Sequence, residues 1–402
     1  MPQVNPDILR WARETAGLSP AEAAKKVALA ATKKFTAAER IEALESGEDE
    51  PTRPLLSRMA KQYRRPLVAF YLATPPRKGD RGEDFRTLPD DHDVADEILL
   101  DALLRDIRAR QRVVRSALDD EDPIEALPFV GSLTVARGVL GAAAAIRETL
   151  AVSLADYRHA QTSEAAFRLL RERAEALGVF VILLGNLGSH HTALSLETFR
   201  GVAIADPIAP FIVINDQDSR AAWSFSLIHE LTHLFLGQTG VSGGRPDRGI
   251  ERFCDSVAAE FLLPTSEVIG TFQAQAPRTD QLAEWISAAA RRWKVSRTMI
   301  AYRLYSVELI EAPQWHLLRT MFKEQWIANR ERRRQLARDD DTGPSYYVVR
   351  RQRLGDAILN AVSRTLASGL MSTSKAAQVL GVKPTNVGPL LGIEAAHSPK
   401  GD

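Results

Sequence analysis

The chain has 402 residues, 45% of them hydrophobic and 26% charged, which is more than one hydrophobic core ordinarily serves and unlike a disordered or fibrous composition. Its 52 Lys+Arg against 51 Asp+Glu leave a net charge of +1, so no global field draws the protein onto nucleic acid or an anionic membrane. A single cysteine, Cys254, excludes an internal disulfide and a cysteine-based structural zinc site; with no basic-then-apolar leader in the first residues and no apolar run of bilayer length, a cytoplasmic protein is expected.

Residues 1–76 read as a helical domain. Ser19-Pro20-Ala21-Glu22 and Thr36-Ala37-Ala38-Glu39 are capping boxes, and Leu55, Met59 and Tyr63 mark a further amphipathic helix, giving a bundle of four or five helices. Residues 77–93 are polar and charged, and read as a linker. Residues 94–290 form a second domain that begins with long amphipathic helices, carrying Leu99, Leu103 and Ile107, then Ala166, Leu170 and Ala174. Val179–Leu184, Phe199–Ile204 and Phe211–Ile214 are short runs rich in Val, Ile and Phe between turn signals, and read as strands of a small sheet. A helix then runs to Leu236 and stops at Gly237; a glycine-rich loop, Gly240–Gly249, leads to a second helix from Ile250 to Leu263, ended by Pro264. Residues 291–402 are again helical, with a charged stretch over 329–341 whose arginines read as a solvated face, and a final helical pair near Leu354–Leu391. The expected fold class is α+β: a small sheet plus one site-bearing helix, flanked by all-α modules on both sides.

The chemistry lies on the helix pair. His229-Glu230-x-x-His233 puts two imidazoles one turn apart on one helix face, where both can reach a single zinc ion, with Glu230 beside them. Glu230 can take a proton from an attacking water and pass it to the leaving amine while the metal supplies the Lewis acid. The plainer alternative is two core-edge histidines, and a third ligand would separate the two readings. Ile250, Phe253, Cys254, Val257, Phe261 and Leu262 form an apolar stripe on the next helix, flanked by Glu251 and Asp255. Glu251 as ligand, with Asp255 accepting the outer N–H of a ligand histidine, would satisfy both acids; Asp255 or Glu260 as the ligand stays open. Cys254 on the stripe reads as core.

His229-Glu230-x-x-His233 followed by Glu251-x-x-x-Asp255 resembles the Glu-zincin pattern. The flanking Phe199-Arg200-Gly201, Asp206 and Phe211–Asn215 extend that resemblance to the ImmA/IrrE family of intracellular metallopeptidases, over roughly Phe199 to Pro264. The resemblance implies a minimal zincin-like core with His229, His233 and Glu251 as zinc ligands, Glu230 as general base and Asp255 as orienter. It also implies an edge strand around Val202–Ile204 that pairs with an extended substrate, and a transcriptional repressor as the protein cleaved. The same ligand set would suit manganese or iron. The donor that would meet the oxyanion is not assigned, with His190, His191 and Arg200 as candidates.

Residues 1–76 resemble the helix-turn-helix domains of phage repressors through Leu9-x-x-Ala12-Arg13, Gly17-Leu18-Ser19 and Glu45-x-Gly47, which implies contact with double-stranded DNA. The recognition helix would be Thr36–Leu44, yet Glu39, Glu42 and Glu45 stand there against Arg40, so a protein-docking role weighs equally. Ser374–Val382 is similar to a short helix-turn-helix fragment. Together these readings predict a cytoplasmic zinc endopeptidase acting on a regulatory protein. The alternative is a DNA-binding regulator that keeps the zincin fold as a sensing or docking module.

Overall fold

Local capping chemistry places the first helices. The computed structural model describes residues 3–76, 94–121, 125–188, 192–242, 248–275, 277–336 and 345–393, which divide into two compact units. The first unit holds residues up to 76 together with Val94–Arg105, and the second begins at Asp106. The 77–93 linker expected from composition lies outside the described residues.

In the first unit, α1 (Pro6–Glu14), α2 (Pro20–Lys26), α3 (Ala37–Ser46) and α4 (Arg53–Gln62) are followed by a 3-10 turn, Leu67–Tyr71. Both capping boxes form, at Ser19 with Glu22 and at Thr36 with Glu39. Ile8, Leu9, Ile41, Leu56, Tyr63 and Phe70 make the core. Glu45, one of the acids of the expected recognition helix, is buried in a two-pronged ion pair with Arg13, Nε to Oε1 at 2.6 Å and Nη2 to Oε2 at 2.8 Å. A long loop running from the Val27 cap to the Thr36 cap separates α2 from α3, where a helix-turn-helix has a turn of about three or four residues.

The long helix α5 (Val94–Asp119) contributes its second half to the other unit, where Arg115 pairs with Asp206 and Gln111 reaches Ala209 O. There follow α6 (Gly138–Leu150), α7 (Leu154–His159), α8 (Ser163–Ala176), β1 (Phe180–Leu183), β2 (Gly201–Ile204), β3 (Phe211–Ile214), α9 (Arg220–Phe235), β4 (Gly240–Ser242) and α10 (Arg248–Leu262). The remaining helices are α11 (Thr265–Gln275), α12 (Leu282–Trp293), α13 (Arg297–Ser306), α14 (Ala312–Leu336), α15 (Tyr346–Leu354), α16 (Asp356–Ala367), α17 (Thr373–Leu380) and α18 (Val387–Leu391). One hydrophobic core runs from Phe129 to Phe322, so α12, α13 and the start of α14 share it with the sheet and α9. This is the α+β architecture expected: a small mixed sheet and its helix within an otherwise helical chain.

The sheet order is β1-β3-β2-β4, with β1 parallel to β3 and the other pairs antiparallel. The expected edge at Val202–Ile204 is therefore corrected: β4 covers the outer side of β2 in the register Gly201↔Ser242, Val202↔Val241 and Ala203↔Gly240. A three-residue Gly-Val-Ser strand inside a glycine-rich loop carries no apolar alternation by which to be recognised. At the opposite edge, α15 and α16 pack on β1. The buried Arg171 there donates to Val181 O on β1 and, at 2.6 Å, to Gln352 O, while Glu175 accepts from Asp356 N and Ala357 N. Arg330, expected on a solvated face, instead donates to Gln217 Oε1 at 2.6 Å, in the turn that leads into α9. Among the described residues no helix is long and apolar enough to cross a membrane.

Candidate metal centre

Helix α9 is enclosed by α8, α10, β2 and β3, and every residue from Ser226 to Phe235 is buried. Its apolar positions, Leu227, Ile228, Leu231, Leu234 and Phe235, make that burial favourable, and its polar ones then need partners. The helix end is satisfied by the segment before α6: Gly131 N donates to Leu234 O and Leu133 N to Phe235 O. Thr232 answers within the helix, its hydroxyl donating to Ile228 O. His229, Glu230 and His233 are left to be answered from outside.

Helix α10 answers two of them. Glu251 Oε1 lies 3.0 Å from His233 Nε2, and Glu251 Oε2 lies 3.2 Å from His229 Nε2. The two Nε2 atoms are 3.2 Å apart. Each carboxylate oxygen of Glu251 is thus paired with a different imidazole, and one ligand atom from each of the three side chains lies within 4.8 Å of the other two, a convergence of two nitrogens and an oxygen of the kind that holds zinc. Among the described residues these three form the one group of three or more that can hold a metal ion. On the far side of the imidazole, His229 Nδ1 is 3.0 Å from Asp255 Oδ1, which leaves Nε2 facing Glu251 and His233. His233 Nδ1 is buried and finds no hydrogen-bond partner among the described residues.

Glu230 is wholly buried close to His229, and the start of β2 closes over it. A Cβ on Gly201 would meet three atoms of the Glu230 side chain, lying 2.9 Å from Cδ and 3.0 Å from Cγ. Glycine is therefore required for close approach: strand and carboxylate occupy the space that any side chain at 201 would fill.

The electrostatics suit a cation. Burial works against charge on His229, but the bonds to Asp255 and Glu251 and the nearby Glu230 prevail and raise its imidazolium to about 10. Burial likewise opposes the Glu251 carboxylate, yet its bonds to His229 and His233 hold it down to about 2. Both shifts have one origin, the pairing of the Glu251 carboxylate with the two imidazoles, which favours positive charge where the donors converge. Cys254, buried within α10, has its thiol pushed well up, first by burial and then by the neighbouring acids, which fits a core residue.

The remaining candidates separate from this centre. Glu260 binds Arg303 Nη2 at 2.6 Å and accepts from Thr265 N and Oγ1, so its carboxylate is committed elsewhere. Arg200 is largely exposed and 3.9 Å from Asp218, a partner that sequence reasoning did not find. His190 and His191 lie outside the described residues. Gly201 was also missed as a site residue, although its place between Arg200 and a strand of small and apolar residues is the signal that could have found it.

The centre is thus of the type found in metallopeptidases, two histidines spaced one turn apart with a glutamate on the following helix. Residues 174–305, about a third of the chain, match the family described as the IrrE N-terminal-like domain, Peptidase_M78, so this part of the protein is similar to a family of metallopeptidases. The match covers β1 through most of α13 and leaves residues 1–76 and the C-terminal helices outside it. Neither the curated proteins nor the solved structures yield a match.

Proposed function

We propose that the protein is a zinc-dependent endopeptidase that cleaves a regulatory protein, with a transcriptional repressor as its substrate class. The observation that carries the reading is the convergence of His229 Nε2, His233 Nε2 and the Glu251 carboxylate, with the buried Glu230 carboxylate alongside. A divalent cation bound there supplies the Lewis acidity that polarises a scissile carbonyl. Asp255 acts through His229, fixing the tautomer that turns Nε2 inward. Glu230, held against β2, takes the proton from the attacking water and delivers it to the departing amine. An extended peptide has the outer side of β4 for pairing, or must displace that three-residue strand to reach β2.

The rival reading, a DNA-binding regulator that retains this fold for sensing or docking, would draw on residues 1–76. There Glu39 and Glu42 are exposed on α3 and the Arg40 guanidinium is spent on Ala30 O at 2.7 Å, which favours the peptidase. The test is Glu230→Gln in the full chain. New protein N-termini generated in a cell lysate by wild type should be absent with the variant while metal content stays equal. Equal cleavage by both would end the peptidase reading.

A further inference from the structure

The last three helices form a small unit of their own chemistry. Buried Ile358, Val362, Ala376, Leu380, Val387 and Leu390 hold α16, α17 and α18 together. Helix α17 ends at Leu380, Gly381 takes the left-handed conformation at φ 60°, and after Val382 and Lys383 the chain enters a 3-10 turn, Pro384–Asn386, that continues directly into α18. A helix followed by a three-residue turn that begins with such a glycine, and then by a second helical segment, here the 3-10 turn running into the five-residue α18, is the order of a helix-turn-helix. In the N-terminal unit the connection between α2 and α3 is longer, from Val27 to Thr36.

Packing alone would need only the apolar positions, and the exposed ones are also selective. From residue 357 to 393 the sequence has Arg364, Lys375 and Lys383 and no aspartate or glutamate, in a chain whose acids and bases otherwise balance. Arg364 is taken by Glu121, with Nε to Oε1 at 2.8 Å. Lys375 and Lys383 are exposed, on α17 and in the turn, and Ser372, Thr373, Ser374, Gln378 and Thr385 are exposed around them. Lys, Ser, Thr and Gln are the side chains that bind phosphate and sugar oxygens, and α17 and the turn carry no acid of their own to repel them. In the 3-10 turn and α18, Thr385, Gly388 and Pro389 are short, and Asn386 in that turn and Lys383 just before it offer donors suited to adenine and guanine edges.

We propose that α17 and α18, with the turn at Gly381–Lys383, form a site for double-stranded DNA, the helical segment from Pro384 to Leu391 entering the major groove and α17 lying against the backbone. Duplex RNA is disfavoured, because its deep, narrow major groove does not admit a helix. The site lies outside the family match and does not depend on the metal centre, so the proposal stands or falls apart from the proposed hydrolysis.

The experiment uses the full chain and a fluorescent random-sequence duplex of about 30 base pairs, with anisotropy followed from about 50 to 200 mM salt. Wild type and Glu230→Gln should bind alike, with affinity falling as salt rises. The double variant Lys375→Glu with Lys383→Glu should bind at least about tenfold more weakly, with a log–log salt slope shallower by about 2. Both lysines are exposed, so circular dichroism and metal content should stay at wild-type values; Lys375→Gln with Lys383→Gln, which adds no charge, should give a smaller loss in the same direction. Absence of salt-sensitive binding by wild type, wild-type affinity in the double variants, or equal competition by unlabelled duplex RNA would each overturn the proposal. So would a loss produced only by Lys33→Glu with Lys34→Glu in the N-terminal unit.

Discussion

Gly201→Ala isolates the positioning of Glu230 from metal binding. The glycine has an ordinary negative-φ backbone, so alanine introduces no torsional strain, and the three atoms nearest to a Cβ there all belong to Glu230 rather than to the ligand triad. The added carbon would stand 2.9 Å from Cδ and 3.0 Å from Cγ. Carbon contacts relax to about 3.5–4.0 Å, so something must shift by roughly 0.5–1 Å. Strand β2 is paired on both sides, with β3 and with β4, and the carboxylate side chain is the softer element. A reacting group displaced by about 1 Å can lose about a hundredfold in rate, and overpacking of this kind costs about 1–3 kcal/mol of stability. With a peptide that wild type cleaves, kcat should therefore fall by about two orders of magnitude with KM little changed, while bound metal stays stoichiometric and the thermal midpoint falls by a few degrees. Undiminished kcat would refute the positioning argument, and loss of metal in step with activity would show that the glycine serves the ligands instead.

Three further outcomes follow from the same contacts. Asp255→Ala removes the acceptor of His229 Nδ1; because that carboxylate is about half exposed, water replaces it in part, and metal affinity measured against a competing chelator should fall by about tenfold, the lower end of the usual range. Unchanged affinity would remove Asp255 from the site. Arg303→Leu leaves the buried Glu260 without its cation but with both Thr265 donors, so the expected cost is about 3 kcal/mol by urea unfolding, and a cost below about 1 kcal/mol would contradict it. For Asp206, burial raises the carboxyl but the N–H groups of Ala209 and Ile208 and the Arg115 guanidinium prevail and lower it. Its contribution is then complete above the unfolded value of about 3.9 and is lost as pH falls through the lower folded one. The stability gap between wild type and Asp206→Asn should be widest near neutrality and close in acid; a gap that does not vary with pH would contradict that origin.

Features governed by near neighbours were legible in the sequence. His229 and His233 at one-turn spacing, Glu251 and Asp255 beside an apolar stripe, the two capping boxes and three β-branched strand runs all declare themselves within a few residues. What stayed hidden depends on partners distant in the chain. Glu45 reads as an acid on a recognition helix until Arg13 is placed against it, and Glu260 reads as a spare ligand until Arg303 is. β4 has too few residues to show a period, and only its pairing with β2 makes it a strand. The grip of Arg171 on Gln352 O joins residues whose separation in sequence gives no hint of contact.

The enclosure of α9 has a consequence for how such a protein could be switched. A helix surrounded by two strands and two helices has no independent motion: tilting it enough to separate His229 and His233 from Glu251 would disturb the sheet and most of the core with it, at a cost approaching that of global unfolding. Control is therefore cheaper at the periphery than at the candidate metal centre. The three-residue β4, which among the described residues pairs with β2 alone and lies where β2 passes over Glu230, is the part of this neighbourhood that can be exchanged for another strand while the donors stay where they are.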